Sequence, residues 1–338
     1  MGKYNSIAVI YGSDSSEWEI SCRSGEFVSA SLDLEEYDVY EIFARFGKWS
    51  LVAYRKKNSV RVVFPEGTGP TIQKNDFSVD IGLEHVKFDY AYVVQHGAPG
   101  ENGLLQGYLQ MLDVPFSSCD SFVCTIAFDK YACKSYVRRM DVVKCAPDVI
   151  ITEGLDVEKG IAKVNETLVY PVFVKPTNGG SSFGITKVKD PSGLGEALEF
   201  AFKEGRNVLV EQGVVGKEIT CAAYRDAEGV HALPLIEIRT DHEYFDYDAK
   251  YNGQSQEICP APISDELTAM VQETTVGMYL HLGCSGIVRM DYILADDGLY
   301  FLEVNVIPGM TAASLVPKMV RTSGKDITSF LTSIIESS

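Results

Sequence analysis

Four polar side chains near the end of the chain have the types and the spacing of a metal–phosphate site. Arg289 and Asp291 stand two residues apart and therefore share one face of a strand, as do Glu303 and Asn305 on the next strand. The turn at 296–298 fits a three-residue hairpin loop with glycine in the left-handed position. This register places Asp291 opposite Glu303 and Arg289 opposite Asn305. Two carboxylates directly opposite each other require a cation or a shared proton.

The donor set of this hairpin suits a hard divalent cation. Asp291, Glu303 and Asn305 all offer oxygen ligands, and Mg²⁺ typically takes one or two carboxylates and completes its shell with water and phosphate oxygens. Arg289 on the same face is placed to neutralise an anion held by that metal. A solvated face on an acidic protein is the alternative, but it does not explain the arginine. The hairpin therefore predicts a metal–phosphate site.

A second candidate element is the stretch VFVKPTNGGSSFGITKV, which begins at Val172. Lys175 lies in its apolar first strand, and a buried ammonium group needs an anionic partner. The small residues that follow let backbone N–H groups approach phosphate oxygens, and Ser181 and Ser182 add hydroxyls. The stretch is not a Walker loop, because Ile185 stands where that motif needs lysine. A simple turn is the alternative, but together with the hairpin the loop favours phosphate binding.

A third element follows the next strand. The strand VLVEQ contains Glu211 near its end, an apolar linker follows, and Glu218 comes after it. The backbone groups of such a linker can hydrogen-bond the edge of an adenine, and a carboxylate such as Glu218 can accept ribose hydroxyls. A strand followed by an exposed turn explains the same residues equally well. The element therefore supports a nucleotide site only in combination with the other two.

The overall composition argues against several classes of protein. The chain has 338 residues and a formal net charge of −17, which disfavours non-specific binding to nucleic acid or to an anionic membrane. Its longest apolar runs are far too short to span a bilayer. The eight cysteines are scattered without a C-x-x-C pair, which is typical of reduced thiols in a cytosolic protein. We therefore expect a cytoplasmic globular protein of two or three domains.

Strand and helix signals predict a mixed α/β and α+β fold in three parts. Residues 1–120 alternate strands and helices as in an open α/β sheet, whose ligands bind beyond the carboxyl ends of the strands. Glu17 and His96 follow two such strand ends. Residues 121–215 alternate pairs of strands with single helices and indicate a small α+β unit. Residues 216–338 are richer in strands and contain the charged hairpin.

Local signals place two of the helices. One continuous helix is predicted over 125–140, leading towards a strand that begins near residue 147. A second helix is predicted to begin after Ser264, which can cap it, and to end at Gly283. Acidic residues in the first turn of this second helix suit the helix dipole.

Several stretches, taken in order, carry a resemblance to a known family. They are HGAPGENGLLQG, FDK, VKPTNGGSSFGITKV, FDYDAKY, GCSGIVRMDY and LEVNVIPGMTAASLVP, preceded by SSEWEISCRSG. Together they resemble the motifs of the D-alanine–D-alanine ligases, which belong to the ATP-grasp superfamily. The resemblance extends from about Ile7 to Arg321 and is more specific than any one glycine-rich loop.

The resemblance implies a fold and a reaction. It implies an ATP-grasp fold of three domains: a Rossmann-like open sheet and two α+β domains that clasp ATP. The γ-phosphate of ATP would pass to the carboxylate of one D-alanine, and the amine of a second D-alanine would attack the acyl phosphate. The product would be D-alanyl-D-alanine, a precursor of peptidoglycan. The family also implies Mg²⁺, with Mn²⁺ as a substitute and two ions expected, and a homodimer.

The resemblance further implies roles for individual residues. Those that would bind ATP are Lys130, Lys175, Ser182, Glu211, Gln212, Val214, Glu218 and Lys250. The metal ligands would be Asp291, Glu303 and Asn305, in agreement with the hairpin argument. The catalytic group would comprise Glu17 for the ammonium of the first D-alanine, its partners Ser181 and Tyr251, and Arg289 with the N–H of Gly309 as the oxyanion site. The residues near the substrates would be His96, Ser314 and Leu315.

Some of these residues have simpler explanations. His96 could be a hydrogen-bonded core imidazole, Tyr251 could cap a loop, and Glu17 could be a surface acid. Gln212 and Gly213 replace a Lys-Trp pair present in some members, and Gly179 replaces a glutamate, so the contacts around the nucleotide differ. Tyr251 is typical of dipeptide-forming members, which favours alanine over lactate as second substrate.

Three functional hypotheses remain open on the sequence. The first is a D-alanine–D-alanine ligase. The second is a D-alanine–D-serine ligase or another ATP-grasp carboxylate–amine ligase, because a small change in a pocket can admit one hydroxyl. The third is a nucleotide-binding sensor without catalysis, which the retained hairpin residues and Lys250 argue against. The expected partners are D-alanine and ATP, with no nucleic acid and no membrane.

Overall fold

The computed structural model describes residues 3–179, 184–240 and 255–338. Within these ranges the strands form a five-stranded, a four-stranded and a six-stranded sheet, together with one two-stranded hairpin. Each sheet is built from one continuous stretch of the chain.

The first stretch forms the five-stranded sheet. Its elements are β1 (Ser6–Tyr11), α1 (Trp18–Ser31), β2 (Asp38–Arg45), β3 (Lys48–Arg55), β4 (Val62–Val63), β5 (Ser78–Ile81), β6 (Glu84–Lys87), β7 (Tyr90–Val93) and α2 (Leu104–Met111). The sheet order is β4-β3-β2-β1-β7, and β5 pairs with β6 as a separate hairpin. The central strand β1 runs parallel to both β2 and β7. Its apolar run is almost wholly buried, as expected for a parallel strand covered on both faces.

The second stretch forms the four-stranded antiparallel sheet, in the order β10-β9-β11-β8. Its elements are α3 (Ser121–Phe128), α4 (Lys130–Val137), β8 (Asp148–Thr152), α5 (Val157–Thr167), β9 (Val172–Pro176), β10 (Thr186–Val188), α6 (Leu194–Phe202) and β11 (Asn207–Gln212). Pairing with β11 brings Lys175 of β9 beside Leu209.

The third stretch forms the six-stranded sheet. Its elements are β12 (Lys217–Asp226), β13 (Gly229–Ala232), β14 (Ile236–Thr240), β15 (Ser255–Ile258), α7 (Asp265–Leu282), β16 (Ile287–Ala295), β17 (Gly298–Asn305), α8 (Leu315–Thr322) and α9 (Ile327–Ser337). The main path is β15-β14-β12-β16-β17, and β13 pairs with β12. The predicted cap of α7 is confirmed: Leu267 N donates to Ser264 Oγ at 3.3 Å, and Gly283 ends the helix with φ 73°.

The prediction of one helix over 125–140 is wrong. Asp129 leaves the helical conformation with ψ 109°, and it separates α3 from α4. Its carboxylate accepts a hydrogen bond from Ala132 N at 2.8 Å, so it caps the second helix. Asp129 also forms a bridge with Asn178, and this long-range pairing is invisible to helical periodicity. As a result Lys130 is the first residue of α4.

The predicted register of the charged hairpin is confirmed, but its predicted loop is wrong. Asp291 pairs with Glu303, and Arg289 pairs with Asn305. Ala295 pairs with Gly298, so the turn has two residues rather than three. A bulge between the pairs of Asp291 and Tyr292 absorbs the difference, because it sets one extra residue of β17 against β16.

The three buried apolar clusters do not correspond one to one with the three sheets. One apolar cluster joins residues of the five-stranded and six-stranded sheets, including Ile10 and Tyr292. A second cluster also joins these two sheets, through Val9 and Ile236 among others. A third cluster, which includes Val174 and Val210, lies entirely within 149–210. The four-stranded sheet therefore has a core of its own.

Candidate active site

A cavity of about 400 Å³ is lined by residues from all three stretches of the chain. This volume lies in the range of small-molecule sites. The site residues predicted from sequence that line it include Glu17, His96, Lys130, Arg289, Glu303 and Ser314. The structure thus brings residues almost 300 positions apart to one place.

The face of the hairpin carries a polar network centred on Asp291. Arg289 donates to both carboxylate oxygens of Asp291, from Nε and Nη2, at 2.9 Å each. Thr220 Oγ1 donates to Oδ1 at 2.5 Å, and Asn305 Nδ2 donates to Oδ2 at 3.0 Å. The bidentate arginine supplies a counter-charge for Asp291.

The donor set of this face fits a divalent cation. Asp291 and Glu303 are directly opposite each other, and Asn305 is two residues further along β17 on the same side. Two carboxylates and an amide oxygen are hard ligands of the kind that Mg²⁺ takes. The Nζ atom of Lys130 lies 3.5 Å from Glu303 Oε2, so a cationic side chain reaches the same place from α4.

Lys175 has an internal anionic partner. Its Nζ donates to Glu211 Oε2 at 2.6 Å, and the other oxygen of Glu211 contacts Lys134, which is fully buried. Burial first, and then the ammonium groups of Lys134 and Lys130, lower the pKa of Lys175. Positive charges are therefore crowded here, and a phosphate group would relieve that repulsion.

The other predicted nucleotide residues within the described ranges lie at the end of β11, at the start of β12 and on α4. Gln212 ends β11, and its side-chain oxygen accepts from Val169 N at 3.0 Å. Val214 lies in the connection from β11 to β12, and Glu218 is the second residue of β12. Lys130 Nζ donates to Gly179 O at 2.9 Å, which ties α4 to the start of the glycine-rich loop.

His96 is buried, and both of its ring nitrogens are hydrogen-bonded. Nδ1 lies 3.0 Å from the carbonyl oxygen of Ile307, so this nitrogen carries the hydrogen and donates. Nε2 then accepts from Ser24 Oγ at 2.9 Å, and Ser24 Oγ in turn accepts from Met310 N at 3.3 Å. Burial lowers the pKa of His96, so the ring is neutral. The imidazole thus connects α1 to the loop that follows β17.

Glu17 stands immediately before α1 and lines the cavity. Its backbone N–H donates to Ser15 Oγ at 3.2 Å, and Ser15 Oγ donates to His96 O at 3.0 Å. The loops after β1 and β7 therefore interlock, as expected for adjacent parallel strands.

The segment after β17 closes the cavity on the other side. Ser314 immediately precedes α8, and its Oγ accepts from Thr311 N at 3.0 Å. A Cβ atom on Gly309 would lie 3.0 Å from Ser314 Oγ, so a side chain there would crowd the serine. Leu315 is the first residue of α8 and is buried. Gly309, Ser314 and Leu315 line the cavity.

Four predicted site residues lie outside the described ranges: Ser181, Ser182, Lys250 and Tyr251. Two residues near the site were missed from sequence. Lys134 follows Lys130 by four residues, so the helical period places both on one face of α4. Glu101 belongs to the quoted stretch HGAPGENG and lines the cavity, but an acid in a polar loop has no distinguishing local signal.

Two family models match the chain. The model described as D-ala D-ala ligase N-terminus matches residues 6–119, and the one described as D-ala D-ala ligase C-terminus matches residues 144–336. The chain belongs to the D-alanine–D-alanine ligase family.

Curated relatives agree with this family. A D-alanine–D-alanine ligase of Bacteroides fragilis is 42% identical over 335 residues, which cover 98% of each chain. One of Porphyromonas gingivalis is 40% identical over 330 residues, covering 97% of this chain and 96% of its own. The expected activity, ATP-dependent ligation of D-alanine to D-alanine, is confirmed by these relatives and the family models.

Solved structures of the family share the fold. The VanG D-Ala:D-Ser ligase from Enterococcus faecalis superposes with a TM-score of 0.85 at 28% identity, covering 98% of this chain and 99% of its own. The D-alanine–D-alanine ligase from Bacillus anthracis gives 0.74 at 30% identity, covering 98% and 96%. The predicted ATP-grasp fold is confirmed.

Among the described helices, none is long and apolar enough to cross a membrane.

Proposed function

We propose that this cavity joins two molecules of D-alanine at the expense of ATP, through an acyl phosphate. One observation carries the assignment of the site: the face of the hairpin with Asp291, Glu303 and Asn305 lies beside Lys130, whose ammonium group donates to the carbonyl oxygen of Gly179. Hard oxygen donors and ammonium groups side by side are the parts that phosphoryl transfer requires.

At the phosphate end, this chain supplies charge and position. Lys175 and Lys130 hold the phosphates of ATP, while the loop that contains Ser181 and Ser182 covers them and Lys250 reaches the γ-phosphate. Asp291, Glu303 and Asn305 would hold Mg²⁺, with Mn²⁺ as a substitute and two ions expected. A bound ion would neutralise phosphate charge during transfer.

At the nucleotide end, the turn after β11 receives the base. Backbone groups near Gln212 and Val214 bond the edge of the adenine, and Glu218 accepts the ribose hydroxyls. Because the carboxylate of Glu211 is engaged by Lys175 and Lys134, its side chain also orients the lysine cluster.

At the amino-acid end, Glu17 binds the ammonium of the first D-alanine, with Ser181 and Tyr251 as its hydrogen-bonded partners. Arg289 and the N–H of Gly309 stabilise the oxyanion that forms when the second amine attacks. Ser314 and Leu315 hold the second substrate. His96, neutral and bonded on both nitrogens, orients the loop between Ile307 and Met310 rather than transferring protons.

D-Serine is the second candidate for the second position, because a D-Ala:D-Ser ligase is among the superposed structures. The decisive measurement supplies ATP, Mg²⁺ and D-alanine with D-serine and D-lactate in competition, and it identifies the products. D-Alanyl-D-alanine as the main product is expected. If the main product instead contains D-serine or D-lactate, the protein is a D-alanine–D-serine ligase or a depsipeptide-forming ligase. Absence of D-alanine-dependent phosphate release would refute the proposal.

We also propose that the protein acts as a cytoplasmic homodimer, with domains at 1–120, 121–215 and 216–338. A molar mass measured by light scattering would test the dimer, since a monomer at micromolar concentration contradicts it.

A further inference from the structure

Glu101 is joined to Gly97 by two hydrogen bonds. The backbone N–H of Glu101 donates to Gly97 O at 2.9 Å, and the N–H of Gly97 donates to Glu101 Oε2 at 2.8 Å. The carboxyl group is thus held in a fixed position at the carboxyl end of β7. Glu101 also lines the cavity, which is the proposed substrate site.

Gly97 brings a second acid to the same point. Its φ is +73°, and a Cβ atom there would lie 2.4 Å from Ser15 Oγ and 3.6 Å from Glu17 Oε2. Only glycine fits this conformation and this spacing. The carboxyl groups of Glu17 and Glu101 therefore both lie beside Gly97, and both line the cavity.

The surroundings of Glu101 favour its protonated form. Burial first, and then the carboxylate of Glu17, raise the pKa of Glu101 to about 8. Glu303 of β17 acts in the same direction, whereas the N–H of Gly97 and the guanidinium of Arg289 lower the pKa. The thiol of Cys124, on α3, also faces this carboxyl group.

Two nearby basic side chains, Arg289 and His96, do not form an ion pair with Glu101 in the described structure. Arg289 is bonded to both oxygens of Asp291, and the buried ring of His96 is neutral. A substrate ammonium group that enters beside Glu17 would therefore bring new positive charge close to Glu101. Such a charge favours the ionised carboxylate.

We propose that Glu101 is the second carboxyl group of the ammonium subsite, and that it releases its proton when the first amino acid binds beside Glu17. The inference rests on the proposed function, because that function makes the ligand an amino acid. In this step the O–H bond of Glu101 breaks, the proton passes to solvent, and the carboxylate pairs with the ammonium. The subsite would thereby select substrates with a charged primary amine.

Calorimetry of D-alanine binding tests this role. D-Alanine is titrated into the protein loaded with Mg²⁺ and ADP, where no turnover occurs, in two buffers of different ionisation enthalpy at pH 7. The wild-type protein should release close to one proton more per site than Glu101→Gln, because the acid of pKa about 8 is mostly protonated at this pH. Equal release by the two proteins would overturn the proposal.

Steady-state kinetics distinguish the charge of the Glu101 carboxylate from its hydrogen bond to Gly97 N. Glu101→Gln keeps an oxygen that accepts from Gly97 N, so it should preserve kcat while raising KM for the first D-alanine about tenfold. Glu101→Ala removes the acceptor as well and should lower kcat too. A Gln variant with wild-type KM beside an impaired Ala variant would show that Glu101 serves only the turn, and would overturn the proposal.

The pH profile of the wild-type protein gives a test that needs no variant. Because binding releases a proton, affinity for D-alanine should rise from pH 6 to about pH 8 and level off above it. A flat profile over this range would overturn the role of Glu101. Absence of D-alanine-dependent phosphate release would instead refute the proposed function, so the two failures are distinguishable.

Discussion

At the scale of single residues, several charged side chains of the site are paired with an opposite charge before any ligand binds. Arg289 neutralises Asp291, and Lys130 faces Glu303. Glu211 contacts both Lys134 and Lys175. Removing one partner of a buried pair leaves an uncompensated charge, which costs more than the pair contributes. Each substitution should therefore be tested for its effect on stability as well as on turnover, because an unpaired buried charge lowers stability without any direct role in catalysis.

Glu303→Gln is the sharpest residue-scale test of the metal assignment. The substitution keeps the size of the side chain but removes one anionic ligand, so kcat should fall at least about a hundredfold while the melting temperature stays nearly unchanged. Steady-state phosphate release and thermal denaturation measure the two effects. Asp297→Asn is the matched control, because it removes a carboxylate from the exposed turn of the same hairpin and should leave turnover intact. Near-normal turnover in Glu303→Gln would refute the assignment.

At the scale of elements, breaks in regular structure position the functional groups. The interruption at Asp129 makes Lys130 the first residue of α4, where its N–H donates to Thr177 O at 2.8 Å. The bulge in β17 sets the hairpin face beside the cavity despite a two-residue turn. The helix break depends on a partner far along the chain, Asn178, whereas the bulge lies within a single hairpin.

Asp129→Ala tests the helix break. Losing the cap should lower the free energy of unfolding by about 1 kcal/mol. It should also raise KM for ATP, roughly tenfold, because Lys130 is misplaced. The matched control is Asp120→Ala, since Asp120 caps α3 through the same kind of bond to Val123 N, at 2.8 Å. The control should lose similar stability with unchanged KM; equal rises in KM for both variants would contradict the role of the break.

At the scale of the whole molecule, the cores predict how the chain responds to damage. The five-stranded and six-stranded sheets share two apolar clusters, whereas the four-stranded sheet has a separate one. A defect in the separate core should stay local, because few buried apolar contacts carry it into the shared core.

Val210→Ala and Val288→Ala form a matched pair for this prediction. Both valines are fully buried, and each truncation should cost about 2 kcal/mol. Hydrogen exchange should show lost protection mainly within 148–212 for Val210→Ala, and across both other sheets for Val288→Ala. Uniform loss of protection in both variants would show that the cores unfold together.

The sequence by itself determined what depends on short range. Strand alternation places Asp291 and Arg289 on one face, and Glu303 and Asn305 on the facing strand, so the register of the hairpin could be predicted. The cap at Ser264 follows from local chemistry as well. The family resemblance supplied the reaction and the roles that geometry alone does not assign.

Only the tertiary structure decided which groups share a partner. Lys175 was predicted to need an anion, but its pairing with Glu211 depends on the alignment of β9 with β11, and the second lysine on that acid comes from α4. The raised pKa of Glu101 also depends on tertiary structure, because burial and the nearby Glu17 come from loops that follow two neighbouring strands. Burial and long-range electrostatics are sums over neighbours distant in sequence, so no local pattern contains them.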